Sequence, residues 1–225
     1  MVKKIFKNLL SYPYNSKLIF QITEKMLNKT PGGYILSFHD LSPEVFKSQI
    51  ESLAPSKPIP LDELITRYKT GKSIKNCFAI TFDDGVRNTV IDNWKICLKN
   101  NWPVTFYLST NYINGDNLPF QKIQLIEKLL NEKFYDLPKE NSKTQKKISK
   151  KNLVTNLYKM IYVANKSKVD TYLNHFLKKI PDLNKAKEMM PKAISWSEIR
   201  DISKNNLSSF QSHSVSHTAF SALSK

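Results

Sequence analysis

Glycine, arginine and cysteine are all scarce in this 225-residue chain, and each scarcity removes a class of function. The five glycines form no GxGxxG or GxxxxGK loop, so the backbone cradles that hold nucleotide phosphates are absent. No GxSxG elbow occurs, which disfavours the serine hydrolases built on that turn. Cys77 and Cys97 are too few for a disulfide framework, make no CxxC pair and sit among apolar residues, as buried thiols do. No stretch approaches the roughly 18 apolar residues of a membrane-spanning helix. Asn8, Ser11, Pro13, Asn15 and Lys17 interrupt every apolar core that a secretion signal would require. These absences predict a chain that acts in the cytoplasm or at a membrane periphery.

Lysine is what the chain has in excess. The formal charge is +16, yet Arg67, Arg87 and Arg200 are the whole arginine content, and the lysines come with many Asn and Ile. That pattern reads as compositional bias rather than a guanidinium-rich recognition surface, so no nucleic-acid partner is expected. A weak contact between a lysine-rich face and anionic lipid stays open. With 40% hydrophobic residues the chain is long enough for one ordinary domain with its own core.

Local patterns alternate between strand and helix. Residues 1–33 predict a helical lead-in that Pro31, Gly32 and Gly33 stop. Tyr34 to Phe38 reads as a strand ending at His39 and Asp40, and Ser42-Pro43 opens a helix to about Leu53. Pro55, Pro58 and Pro60 mark a rigid connection, followed by a short helix over Leu61 to Tyr68. A strand from Cys77 leads to Asp83, Asp84 and Gly85, a helix follows over Val90 to Lys99, and Val104 to Ser109 makes another strand. From about 111 to 192, Lys and Asn dominate helical patterns near 121–133, 144–163 and 167–179, which predicts a helical insertion with His175 exposed on it. Strand logic resumes in a helix from Trp196 and in LSSFQSHS. Alternation of this kind predicts an α/β fold with parallel strands whose carboxyl ends gather His39, Asp83, Asp84 and His213.

The chemistry concentrates in CFAITFDDG and HSVSH. Phe78, Ile80 and Phe82 suit a buried strand, and it ends in two adjacent carboxylates that would repel if buried without a positive partner. His213 and His217 are four residues apart, so on helical or near-helical backbone their imidazoles share one face. Asp84 with the two histidines makes a two-imidazole, one-carboxylate set for a divalent metal ion, with coordination positions left open for catalysis. Zinc is the default choice. An ion there acidifies water and polarises a carbonyl, and Asp83 stands beside it as general base. HSVSH is not the HExxH of a zinc-protease helix, since Ser214 stands where that glutamate belongs. His39 either lines the same cleft on the substrate side or serves as a hydrogen-bonded structural histidine.

TFDDG and HSVSH resemble the first two motifs of the polysaccharide deacetylase family, carbohydrate esterase family 4. The likeness extends to ILSFHDLSPEVFKSQIESL, VTFYLST, ISWSEIRDIS and HTAFSAL. It implies a distorted (β/α) barrel, here a partial one over 34–225 carrying the helical insertion. It also implies Asp83 as catalytic base and Asp84, His213 and His217 as ligands of zinc or a related ion. The implied reaction is hydrolysis of N-acetyl groups on the amino sugars of a polysaccharide or glycan precursor. The family's later motifs, among them an acid histidine, are not found before Lys225. The expectation is therefore an amino-terminal portion of such a domain, weak or inactive alone. The alternative is a non-catalytic glycan-binding or membrane-peripheral protein that keeps the fold.

Overall fold

The structure, a computed structural model, describes residues 32–138 and 147–218. The lead-in helix expected over residues 1–33 falls almost wholly outside these, as does the part of HTAFSAL beyond Thr218. The described chain is mixed α/β. Its first half runs β1 (Tyr34–Phe38), α1 (Pro43–Glu51), β2 (Lys57–Pro58), α2 (Leu61–Lys69), β3 (Cys77–Phe82), α3 (Arg87–Asn100), β4 (Val104–Leu108) and α4 (Thr110–Ile113). Its second half runs α5 (Pro119–Leu129), β5 (Phe134–Asp136), β6 (Lys147–Ser149), α6 (Lys150–Val163), α7 (Lys166–Leu177), α8 (Leu183–Glu188), α9 (Trp196–Ile202) and β7 (Ser208–Ser212).

The chain divides into two compact units. One comprises the described residues up to Phe82 together with Ile91–Thr105 and Asn205–Ser209. It holds β1, β2, β3 and the starts of β4 and β7, which form one sheet in the order β1-β3-β4-β7 with β2 also paired to β3. β1 and β2 both lie parallel to β3, as the βα alternation predicts. Among the described residues no ladder joins β7 back to β1.

Five of the six β3 residues are buried, the near-continuous apolar run of a strand covered on both faces. Its last ring, Phe82, packs with Phe38 and Phe46 at centroid distances of 5.4 and 5.0 Å, and Trp102 meets Phe46 edge-on at 6.2 Å. Each aromatic pair adds about 0.5–1.5 kcal/mol beyond the area it buries, so this cluster anchors the carboxyl end of β3. α1 starts where expected, because Ser42 Oγ accepts from the Val45 N–H and Pro43 occupies the first turn.

Two expectations change in this unit. The proline connection contains β2, because the ladder uses the N–H groups of Lys57 and Ile59, which donate to Asn76 and Phe78, and asks nothing of Pro58 between them. Cys97 is buried and its thiol is pushed up to about 12 by desolvation. Cys77, expected buried, is only half-buried at the entry of β3, where Arg67 Nη1 donates to its Sγ at 3.7 Å.

The second unit comprises Asp83–Val90, Phe106–Lys204 and the described residues from Phe210 onward. Leu153, Leu157 and Ile161 form one stripe of α6, and Val169, Leu173 and Phe176 one stripe of α7. They share a core with Ile123 and Ile126 of α5, while Lys151, Lys159 and Lys168 stay exposed. The segment expected to be a helical insertion is not purely helical. β5 and β6 pair antiparallel, Phe134 opposite Ser149, and buried Tyr135 meets Phe176 edge-on at 6.2 Å. His175, expected exposed, is half-buried. Its Nε2 lies 3.1 Å from the Asp136 carbonyl, and its ring sits edge-on to Phe176, so the hairpin that the periodicity missed is what covers it.

Candidate metal centre

β3 ends at Phe82 and α3 begins at Arg87, so the chain must turn within four residues. Asp84 and Gly85 do this in left-handed conformation, with φ of 73° and 86°. A side chain on Gly85 would place its Cβ 2.8 Å from Leu108 Cδ2, so glycine meets both the backbone and the packing demand. Asp84 has no such freedom and is held by its surroundings. The Ile194 N–H donates to the Gly85 carbonyl at 3.0 Å, and the Arg87 N–H donates to the Lys192 carbonyl at 2.8 Å. The Arg87 side chain pairs with Glu198, whose carboxylate also caps α9 through Ser195. The Ser195 N–H first, and the Arg87 guanidinium next, hold the Glu198 carboxyl below the usual glutamate value.

His213 follows β7 directly. Phe210 stacks on Phe106 at 5.4 Å, and the His213 N–H donates to the Leu108 carbonyl at 2.8 Å, so β4 carries the chain to the histidine. HSVSH then departs from the helical backbone its spacing predicts. Ser214 and His217 take φ of 66° and 54°, and the segment is a non-helical loop. What holds it is α4. The Thr110 and Asn111 N–H groups, which no helix can satisfy within its own first turn, donate to the Ser214 and Val215 carbonyls at 3.4 and 2.9 Å. Of the six described non-glycine residues with positive φ, three are Asp84, Ser214 and His217. Strained backbone gathers in this manner where surroundings over-determine a site.

The result is convergence of the three predicted ligands. Asp84, His213 and His217 each offer one ligand atom, and these atoms lie within 4.8 Å of one another. His217 Nε2 is 3.0 Å and His213 Nε2 3.7 Å from Asp84 Oδ1, with the two rings 4.9 Å apart. Asp84 is 5% exposed, while both histidines are half-buried and face a cavity. The hydrogen-bonding Asp84 carboxylate holds the His217 imidazole above the ordinary histidine value against the pull of burial, and the Asp83 charge adds to the effect. Phe120 lies edge-on to His217 at 5.8 Å and Tyr107 edge-on to His213 at 6.4 Å, which limits ring rotation. A buried carboxylate with two imidazoles at this spacing fits a divalent cation of borderline softness.

Asp83 is half-buried at the mouth of the same turn, its carbonyl accepting from the Gly85 N–H at 2.9 Å. His39 is exposed just past β1 and is not among the three converging residues. Ser109 was invisible as a site residue. It is fully buried, its Oγ donates to the His213 carbonyl at 3.0 Å, and its N–H lies 3.5 Å from the Asp84 carbonyl, so one residue ties both motifs together. A serine closing a buried strand before a helix reads as an N-cap, and only the fold shows that its hydroxyl turns to the histidine loop instead.

No protein family and no curated protein matches the sequence. Among solved structures the chain is similar to the deacetylase domain of BpsB from Bordetella bronchiseptica, with 12% identity and a TM-score of 0.40 over 81% of this chain and 54% of that one. The chain thus spans about half the length of that structure. Among the described residues no helix is long and apolar enough to cross a membrane.

Proposed function

We propose that this chain is a metal-dependent hydrolase that removes N-acetyl groups from amino sugars of a polysaccharide or glycan precursor. Residues 34–225 form, on this reading, a polysaccharide deacetylase domain of partial (β/α)-barrel type, with 111–192 inserted. The observation that carries the proposal is the convergence of Asp84, His213 and His217 beside Asp83. Those three residues would hold the ion, zinc by default. When bound, the ion supplies Lewis acidity at the acyl oxygen and makes water acidic enough to deprotonate near neutral pH.

The chain's own residues account for the remaining roles. Asp83 accepts the proton of the attacking water as its oxygen bonds to the acyl carbon. The C–N bond then breaks as the proton held by Asp83 passes to the nitrogen, which leaves as the amine, and acetate is the other product. Asp84, within reach of both Nε2 atoms, keeps the two histidines oriented. His39 stays a substrate-side residue in this reading. The lysine-rich face of the insertion gives at most a weak contact with anionic lipid, one that weakens between about 50 and 200 mM salt.

The test is acetate release from an N-acetylated oligosaccharide by the zinc-loaded chain, with and without chelator. The expected outcome is weak, chelator-sensitive release that Asp83→Asn abolishes while zinc binding persists. Oligosaccharide binding without any acetate release by wild type would instead establish a non-catalytic glycan-binding protein.

A further inference from the structure

His217 lines two cavities, and both have walls supplied by the insertion. On one side, a cavity of about 240 Å³ is bounded by His213, His217, Ser212 and Ser214 and by Ile161 and Tyr162 at the carboxyl end of α6. On the other side, a recess of about 30 Å³ reaches the Lys122–Asp116 and Lys166–Asp170 ion pairs. The first volume is below the roughly 300–1,000 Å³ that encloses a drug-sized ligand and has room for about one ring, whereas the second accepts only a small polar group.

Tyr162 is the large aromatic member of that lining. It is 63% exposed at the last turn of α6, where Val163 is exposed too, while Ile161 beside it is 8% exposed. A tyrosine presents a broad apolar face at little conformational cost and keeps a hydroxyl for the wet edge. A pyranose ring has the complementary form, an apolar C–H face with a polar rim, and exposed Ser212 lines the same cavity to meet that rim.

We propose that Tyr162 is a sugar-ring platform that positions the residue next to the one whose N-acetyl group reaches the metal centre. The substrate class is then an N-acetylated oligosaccharide of at least two rings, and the insertion, not the metal centre, sets this preference. The inference rests on the amino-sugar reading above.

The experiment measures zinc affinity by calorimetry. It then measures binding of N-acetylglucosamine and of its β-1,4-linked tetramer to zinc-loaded wild type, Tyr162→Ala and Tyr162→Phe. Zinc affinity is expected to be equal in all three. Tetramer binding is expected to weaken about tenfold in Tyr162→Ala and by less than about threefold in Tyr162→Phe, with monomer binding unchanged. Tetramer ring protons should also show upfield aromatic shifts in wild type that vanish in Tyr162→Ala. Failure of wild type to bind zinc would overturn the metal-centre reading itself. Zinc binding with equal tetramer affinity in wild type and Tyr162→Ala would overturn the platform alone, and zinc binding without tetramer binding would overturn the platform and its substrate class.

Discussion

Gly85→Ala isolates what the Asp-Asp-Gly turn requires. Two penalties act at that position. A left-handed alanine costs about 1–2 kcal/mol relative to glycine, and the new Cβ would stand 2.8 Å from Leu108 Cδ2 where about 3.5–4.0 Å is comfortable. Leu108 is 4% exposed, and fully buried Ile194 closes the other side at 3.8 Å, so relaxation is restricted and overpacking adds about 1–3 kcal/mol. Loss of chain entropy in the unfolded alanine variant returns about 0.4–1 kcal/mol. The net expectation is destabilisation by about 1–5 kcal/mol, a large share of a typical stability of about 5–15 kcal/mol. Gly115→Ala is the control, because Gly115 has a φ of 99° in the same unit but nothing within 4 Å of its Cβ site. Urea unfolding of both variants, with zinc affinity measured in parallel, separates backbone strain from packing. If Gly85→Ala is no more destabilised than Gly115→Ala, the close approach of the turn to Leu108 is refuted.

Ser109→Ala removes the hydroxyl bonded to the His213 carbonyl. It should cost about 0.5–1.5 kcal/mol and weaken zinc binding without touching a ligand, whereas unchanged zinc affinity would separate Ser109 from the site. His217 carries a raised folded pKa, so without metal its charged pairing with Asp84 stabilises the fold below the unfolded value near 6.5. That contribution disappears as pH rises through the folded value. Zinc needs the neutral ring, so its affinity should fall about tenfold per pH unit below the folded value, and titrations at pH 6 and 8 that agree would contradict this. A thiol reagent at pH 8 should label Cys77 in the native chain and reach Cys97 only on unfolding, since the latter is 0% exposed and its thiol titrates near 12. Native labelling of both would show that the Cys97 environment opens readily.

The elements were legible wherever one face had to be buried. β3 announced itself as CFAITF, α1 by Ser42-Pro43, and α6 and α7 by apolar residues three and four apart, because burial imposes a period that composition cannot hide. The hairpin of β5 and β6 escaped, since three-residue strands show no period, and with it went the covered position of His175. Residue types also pointed to the Asp84, His213 and His217 cluster that could hold a metal, as a carboxylate pair closing a buried strand and two imidazoles at short spacing suit that chemistry. The means of convergence was not readable. His213 and His217 meet Asp84 through a loop with two left-handed residues, held by the first N–H groups of α4, rather than by the helical face their spacing implies. Ser109 and Tyr162 share that fate, one a hydroxyl that bonds across 104 positions and the other an exposed ring at the end of α6 that lines a cavity with His213. Burial and local spacing act within a few residues and so are written along the chain, whereas contacts between residues some hundred positions apart arise only once the strands are aligned and the loops between them are pinned.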